Sequence, residues 1–314
     1  MNQEQTKVLP ANSFKKRTLA YIMSPSYSGS TLLTLLLADH PDIATVGELK
    51  ATSRGDLSTY YCSCGALLKA CPFWSNVQET MHGYGRKFSL DNYDTHFHHP
   101  PHLLTDRLLR TSVRSPLFET IRETGFLLSP TARKIRTKII EQNKALIDII
   151  CSLQKASVFL DGSKDPIRLK ILFSTGLWDI RAIHLIRDGR GVTNSYMKNQ
   201  NMSMNKAAQE WVTTQKECKQ MTRLLGNRRC LTVYYEALCQ EPEKTLASIY
   251  DFLKIESETQ PSLNRIKHIM GNRMRLGQHK DIRLDEKWKQ SLSASNLLIF
   301  KDIAGELNRR HGYK

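Results

Sequence analysis

The chain has 314 residues, 46 of them basic and 30 acidic for a formal net charge of +16, and seven cysteines. A chain this long buries roughly three quarters of its extended-chain surface, so one large domain, or a domain with an insertion, needs no disulfide scaffold; seven scattered cysteines do not resemble one. The positive balance favours a phosphorylated cofactor, an acidic acceptor or an anionic surface, whereas the basic residues lack the aromatic interleaving of single-strand binders, which argues against nucleic acid.

The first residues are polar and unpatterned, and 1–17 reads as a flexible tail. Lys15-Lys16-Arg17 followed by Thr18 to Met23 starts like an export signal, but Ser24-Pro25 ends the apolar run early. No segment approaches the roughly twenty apolar residues of a membrane span. The default expectation is a soluble cytoplasmic protein without a transmembrane segment.

A buried strand is expected over 18–24 and a helix over 31–39, with a loop of small residues between them. Ser28, Gly29, Ser30 and Thr31 let the backbone approach an anion, and the helix start points unpaired N–H groups at the same space. No Lys precedes Ser30-Thr31, so the G-x-x-x-x-G-K-[ST] pattern of nucleoside triphosphatases is incomplete. A short strand follows near 43–46.

Residues 50–155 read as an insertion. Its first half shows little periodicity, and helices are expected over 103–128 and 130–155, the second with an apolar stripe from Ile135 to Leu153. Cys62, Cys64 and Cys71 can hold zinc with a fourth ligand such as His82, or make one disulfide; three ligands do not fill a structural zinc shell, so the reading is an insert packed over an acceptor cleft, with no metal assigned. His96, His98, His99 and His102 flank Pro100-Pro101 as a solvated turn.

Alternation then sets in: strand 157–160, helix 165–175, strand 180–186, helices 189–199 and 204–225, strand 230–235 and helix 242–254. This pattern predicts βαβ units on a parallel sheet covered on both faces. A flap is expected over 257–290, where Arg273, Arg275 and Lys287 can add phosphate contacts and Gly271 and Gly277 supply hinges; a packing helix over 293–310 ends the chain.

Four ordered segments carry a resemblance. S-P-S-Y-S-G-S-T-L-L from Ser24, with H-P-D-I from His40 and G-E-L from Gly47; S-K-D-P from Ser163; I-R-D-G-R-G-V-T-N-S from Ile186; and V-Y-Y-E-A-L from Val233 together resemble the sulfotransferase family that uses 3'-phosphoadenosine 5'-phosphosulfate, most closely its tyrosylprotein-type and related bacterial branches. The likeness spans 18–49 and 158–255. It implies one sulfotransferase domain, 18–314, with a P-loop-like three-layer α/β fold, a central parallel sheet and a mainly helical insertion.

The resemblance also implies roles. Ser28, Gly29, Ser30 and Thr31 cradle the 5'-phosphosulfate, Arg187 and Ser195 hold the 3'-phosphate, and the Tyr235 ring lies against adenine. Arg190 is the substitute anchor should Arg187 turn inward. Lys164 faces the bridging oxygen, where negative charge accumulates. Glu48 is the general base, suited to that role by a dry cleft. Tyr27 stands where the family loop carries a basic residue, able to donate a hydrogen bond but bringing no charge. Asp165 and His40 read as caps.

The expected reaction is in-line sulfuryl transfer to a hydroxyl acceptor, whether glycan, lipid, small molecule or peptide, without a required metal. The alternatives are a nucleotide or sugar kinase, and a basic polyanion-binding module without catalysis. Weak association with an anionic surface is compatible with the charge.

Overall fold

The computed structural model describes residues 16–50, 56–99, 101–112, 114–257, 267–271, 273–276 and 282–314. Five strands, β1 (Thr18–Met23), β2 (Ile43–Thr45), β3 (Val158–Lys164), β4 (Asp179–Ile186) and β5 (Cys230–Tyr234), form one parallel sheet in the order β2-β3-β1-β4-β5. β1 is central because it is apolar on both faces: Leu19 to Met23 are fully buried.

One face of the sheet packs Ala20, Ile22, Leu160, Ile183 and Leu185 against α1 (Ser30–Leu37) and α10 (Pro242–Leu253), through Leu33, Leu36, Leu246 and Ile249. On the other face Leu19, Tyr21 and Phe159 share a core with α5 (Pro130–Gln154) and α6 (Pro166–Phe173). These three layers are the expected α/β fold. α7 (Gly189–Gln200) and α8 (Met204–Leu225) join β4 to β5, α9 (Tyr235–Gln240) follows β5, and α11 (Trp288–Ser291) and α12 (Ala294–Arg310) end the chain. Trp211 is core, beside Phe300 of α12.

The insertion between β2 and β3 departs from expectation in two places. α2 (Pro72–Gly83) occupies a stretch without evident periodicity; Pro72 suits its first turn, and Trp74, Val77 and Met81 form a buried stripe. The single helix expected over 103–128 is two, α3 (Leu103–Leu109) and α4 (Pro116–Leu128). Pro116 disfavours helical geometry at Ser115, whose hydroxyl instead accepts the Phe118 N–H and opens α4. Arg122 of α4 donates to the carbonyls of Leu108 (2.8 Å) and Arg110 (2.7 Å), satisfying the end of α3.

Arg17, placed in the expected tail, is anchored: its guanidinium donates to Asp148 and the Ala156 carbonyl. Residues 1–15 lie outside the described residues. Among the described residues no helix is long and apolar enough to cross a membrane.

Candidate active site

Each of the five strands ends on the same edge of the sheet, the edge at which open α/β sheets bind ligands. There the chain encloses a cleft of about 1110 Å³, lined by the first loop, Glu48, Lys164, Arg187, Ser195 and Tyr235. That is ample for a nucleotide and part of a second substrate.

The loop after β1 is shaped by two left-handed residues, Tyr27 (φ 65) and Gly29 (φ 89). Glycine is required at 29 for a second reason: a Cβ there would stand 2.3 Å from Cδ2 of Tyr235. Gly29, Ser30 and Thr31 face the cleft, and α1 starts at Ser30. Ser28 departs from expectation, since it is fully buried, does not line the cleft, and its hydroxyl has no hydrogen-bond partner among the described residues. Tyr27 lines the cleft with its ring edge-on to Tyr196 (5.1 Å), and its hydroxyl accepts from Gln200.

Arg187, at the end of β4, turns toward the cleft and is fully engaged. Nη1 donates to the Tyr27 carbonyl (2.9 Å), Nη2 donates to the carbonyl (2.9 Å) and carboxylate (3.2 Å) of Asp285, and the guanidinium lies 4.5 Å from the Tyr235 ring centroid. Arg190 plays no part in this: it grips Asp188 and stacks on Trp288. Burial, only partly offset by Arg187, pushes the Tyr235 phenol up to about 12, so it stays neutral, and its oxygen accepts the Asp285 N–H. Its ring is packed against Gly29 and Arg187, a setting that the expectation of a ring lying on adenine did not include. Ser195, on α7, donates to the Gly191 carbonyl and keeps its lone pairs free for the cleft.

Lys164 and Glu48 meet. Lys164 ends β3 in a left-handed conformation (φ 69), and its ammonium pairs directly with the Glu48 carboxylate. The dry surroundings expected for Glu48 are absent, since its side chain is 31% exposed and carries this ionic partner.

Buried groups hold the pair in register. Asp161 Oδ1 accepts the N–H of Leu49 (3.2 Å) and of Ser163 (3.0 Å), while Arg168 closes on Oδ2 at 3.4 Å and on Asn143 at 2.6 Å. The Lys50 N–H donates to Ser163 Oγ (2.9 Å), so the segment carrying Glu48 is stitched to the end of β3 twice.

Asp165 caps α6 as expected, accepting from Ile167 and Arg168. Burial raises its pKa, but Lys50, Thr111 and the Arg168 N–H outweigh this and hold the carboxyl below its usual range. Lys50, 2.8 Å from Asp165, also lines the cleft and escaped the sequence reading, although it lies two residues past Glu48. His40 is structural, with its ring bonded to the Glu256 carbonyl and the Asp42 N–H.

The histidine turn is more built than expected, since His98 pairs with Asp106 at 2.5 Å and burial pushes His96 down to about 4. Of the flap, 282–287 line the cleft opposite the first loop, with Lys287 at the exposed rim. Gly271 and Met274 also line it; Gly277 lies outside the described residues, as do the side chains of Arg273 and Arg275.

Residues 173–259, which contain Arg187, Ser195 and Tyr235, match the family model described as the sulfotransferase family. Over this stretch the chain is similar to the sulfotransferase family. The match names the sulfotransferase family without a branch, and it reaches neither the first loop nor Glu48 and Lys164.

The fold is shared with the sulfotransferase domain of the Synechococcus PCC 7002 olefin synthase (TM-score 0.51, 22% identity, covering 96% of this chain and 97% of that one). It is shared also with the sulfotransferase domain of the curacin biosynthetic pathway (TM-score 0.53, 15% identity, 96% and 99% covered). Sulfotransferase STF9 from Mycobacterium avium is similar at TM-score 0.50 and 12% identity, with 96% and 78% covered. No curated protein matches the chain in sequence. The match over 173–259 supports sulfotransferase activity.

Proposed function

We propose that the protein transfers the sulfuryl group of 3'-phosphoadenosine 5'-phosphosulfate to a hydroxyl acceptor. The observation that carries this reading is the placement of a Lys–Glu pair, an anion-shaped loop and an inward-facing Arg around one cleft. The residues fit a doubly phosphorylated nucleotide: the loop is glycine-dependent at its closest approach, α1 begins inside it, and the guanidinium beside it already holds a carboxylate.

In this reading the amides from Gly29 to Thr31 take the 5'-phosphosulfate, and Arg187 with Ser195 takes the 3'-phosphate in place of Asp285. Arg187 adjoins the loop through the Tyr27 carbonyl, so both anchors serve one ligand. Glu48 accepts the acceptor's proton as its oxygen attacks sulfur. The new O–S bond forms while the bridging S–O bond breaks, and that electron pair stays on the phosphate oxygen. Lys164 faces the charge developing there, the kind of preorganised electrostatic contribution that dominates such catalysis. The Tyr27 loop supplies no cation; Lys164, Lys50 and Arg187 are among the cations that line the cleft.

A kinase would need a loop Lys on the terminal phosphates, which Ser30-Thr31 lacks. Thermal unfolding separates the two readings, because a native-state ligand at about a hundred times its Kd stabilises by roughly 2.7 kcal/mol. Adenosine 3',5'-bisphosphate is expected to raise the Tm and ATP with Mg²⁺ to leave it unchanged. The reverse pattern would sink the sulfotransferase reading.

A further inference from the structure

A second constellation lies in the insertion, and the chemistry above does not use it. Tyr61 and Leu67 form an isolated antiparallel bridge, the Cys62 N–H donates to the Ala66 carbonyl (2.9 Å) and the Gly65 N–H to the Cys62 carbonyl (3.0 Å). The turn closes at Gly65, with φ +90 and open space beside it. The result is a short knuckle carrying Cys62 and Cys64. Cys71 stands at the N-terminal boundary of α2, immediately before Pro72.

The fourth member comes from far along the chain. His268, 197 residues after Cys71, directs Nδ1 at Cys71 Sγ (3.3 Å) and Cys62 Sγ (3.7 Å), and Cys64 Sγ is 3.7 Å from Cys71 Sγ. All four donor atoms lie within 4.8 Å of one another. His268 is held for this purpose: its ring stacks on Phe73 at 4.4 Å and 7°, and Ser63 on the knuckle donates to the Lys267 carbonyl (2.6 Å) and accepts the Ile269 N–H (2.7 Å). His82, the fourth ligand considered from sequence, bonds the Phe88 carbonyl instead.

The spacings decide between chemistries. A disulfide requires sulfurs about 2.05 Å apart, and all seven cysteines are free. A tetrahedral ion with bonds of about 2.3 Å to sulfur and about 2.0 Å to nitrogen has edges of roughly 3.5–3.8 Å between its ligands. The three distances above cluster around that range. Three thiols and one imidazole form a closed, soft donor set, which suits Zn²⁺ and not Mg²⁺ or Ca²⁺.

We propose that Cys62, Cys64, Cys71 and His268 form a structural zinc site that clasps residues 267–271 onto the insertion. With four protein ligands there is no open position for substrate, so the ion acts by holding segments together. What it holds is a wall of the cleft: the Met270 N–H donates to the Val46 carbonyl (2.8 Å), the Gly271 N–H to the Tyr60 hydroxyl (2.9 Å), and a Cβ on Gly271 would stand 3.8 Å from Glu48 Oε1. The clasp therefore fixes the backbone beside Glu48. The proposal stands independently of the reaction assigned to the cleft.

The test uses the full chain, purified under reducing conditions from zinc-supplemented cells without a metal-affinity tag. Elemental analysis is expected to find one zinc per chain, and Cys64→Ser and His268→Ala to lose most of it. Misfolding of a variant does not blur the result, because wild-type protein stripped by a chelator and titrated with Co²⁺ is expected to show the ligand-field and thiolate charge-transfer bands of tetrahedral cobalt, abolished by one equivalent of Zn²⁺. Chelation is also expected to lower the Tm. Sub-stoichiometric zinc together with no tetrahedral cobalt spectrum would overturn the proposal, as would a Cys64–Cys71 disulfide or a free-thiol cluster in zinc-replete protein.

Discussion

Glu48 and Lys164 form an ion pair across the carboxyl ends of β2 and β3, which are neighbouring strands of the sheet. A partly exposed pair of this kind adds only about 0–1 kcal/mol to stability. Stability alone does not account for two charged groups held by buried stitching at the cleft. Glu48→Gln and Lys164→Ala are each expected to lower kcat by about 10²–10³ while Tm changes little. Steady-state sulfate transfer and nucleotide-induced Tm shifts, measured on the same preparations, check this: lost turnover with retained nucleotide binding is the expected split.

Arg187 and Asp285 make a second testable pair. A charge-assisted contact to phosphate is worth about 1.5–3 kcal/mol, so Arg187→Ala is expected to weaken adenosine 3',5'-bisphosphate by roughly 10–100-fold and to affect 5'-AMP far less. Asp285 competes for the same guanidinium, and its carboxyl is held below the usual range because the Lys287 N–H and Arg187 together outweigh burial. Asp285→Asn is therefore expected to tighten the bisphosphate several-fold. Calorimetric titration of both variants with both nucleotides is the check.

Gly29 is fixed by backbone and by neighbour. Gly29→Ala sets a methyl 2.3 Å from the Tyr235 ring at a φ that L side chains rarely adopt. Strain and overpacking together are expected to cost about 2–4 kcal/mol, seen as a lower denaturation midpoint, with nucleotide-induced stabilisation lost. A Gly29→Ala protein that binds nucleotide normally would show that the loop is not the anion cradle.

His184, buried in β4 with its ring bonded to Gln215, is pushed down to about 4, chiefly by burial, from a value of 6.5 in the open chain. Between those values the unfolded chain binds a proton that the native one refuses, so stability falls as pH drops from 6.5 toward 4, by up to about 3 kcal/mol from this residue. Denaturant unfolding across that interval is expected to show a shallower pH slope for His184→Asn than for the wild type.

The first loop, Lys164 and Arg187 were legible because each sits where a strand's apolar run gives way to small or charged residues, a boundary that local sequence records. Ser28 shows the limit of such reading: its residue type suits a phosphate, but the left-handed turn around it sends the hydroxyl inward. α2 was hidden because its three buried residues are diluted by polar neighbours. Asp285 and His268 carry no local signal at all, since each acquires its role only when the flap segments return to β4 and to the cysteine knuckle.

The central claim, that this cleft moves a sulfuryl group, is tested most directly with ³⁵S-labelled 3'-phosphoadenosine 5'-phosphosulfate and a pooled metabolite extract rich in hydroxyl compounds. The expected result is a labelled product formed together with an equal amount of adenosine 3',5'-bisphosphate, both absent with Lys164→Ala. Saturable binding of the donor with no product and no bisphosphate released, across extracts that support a known sulfotransferase, would contradict it.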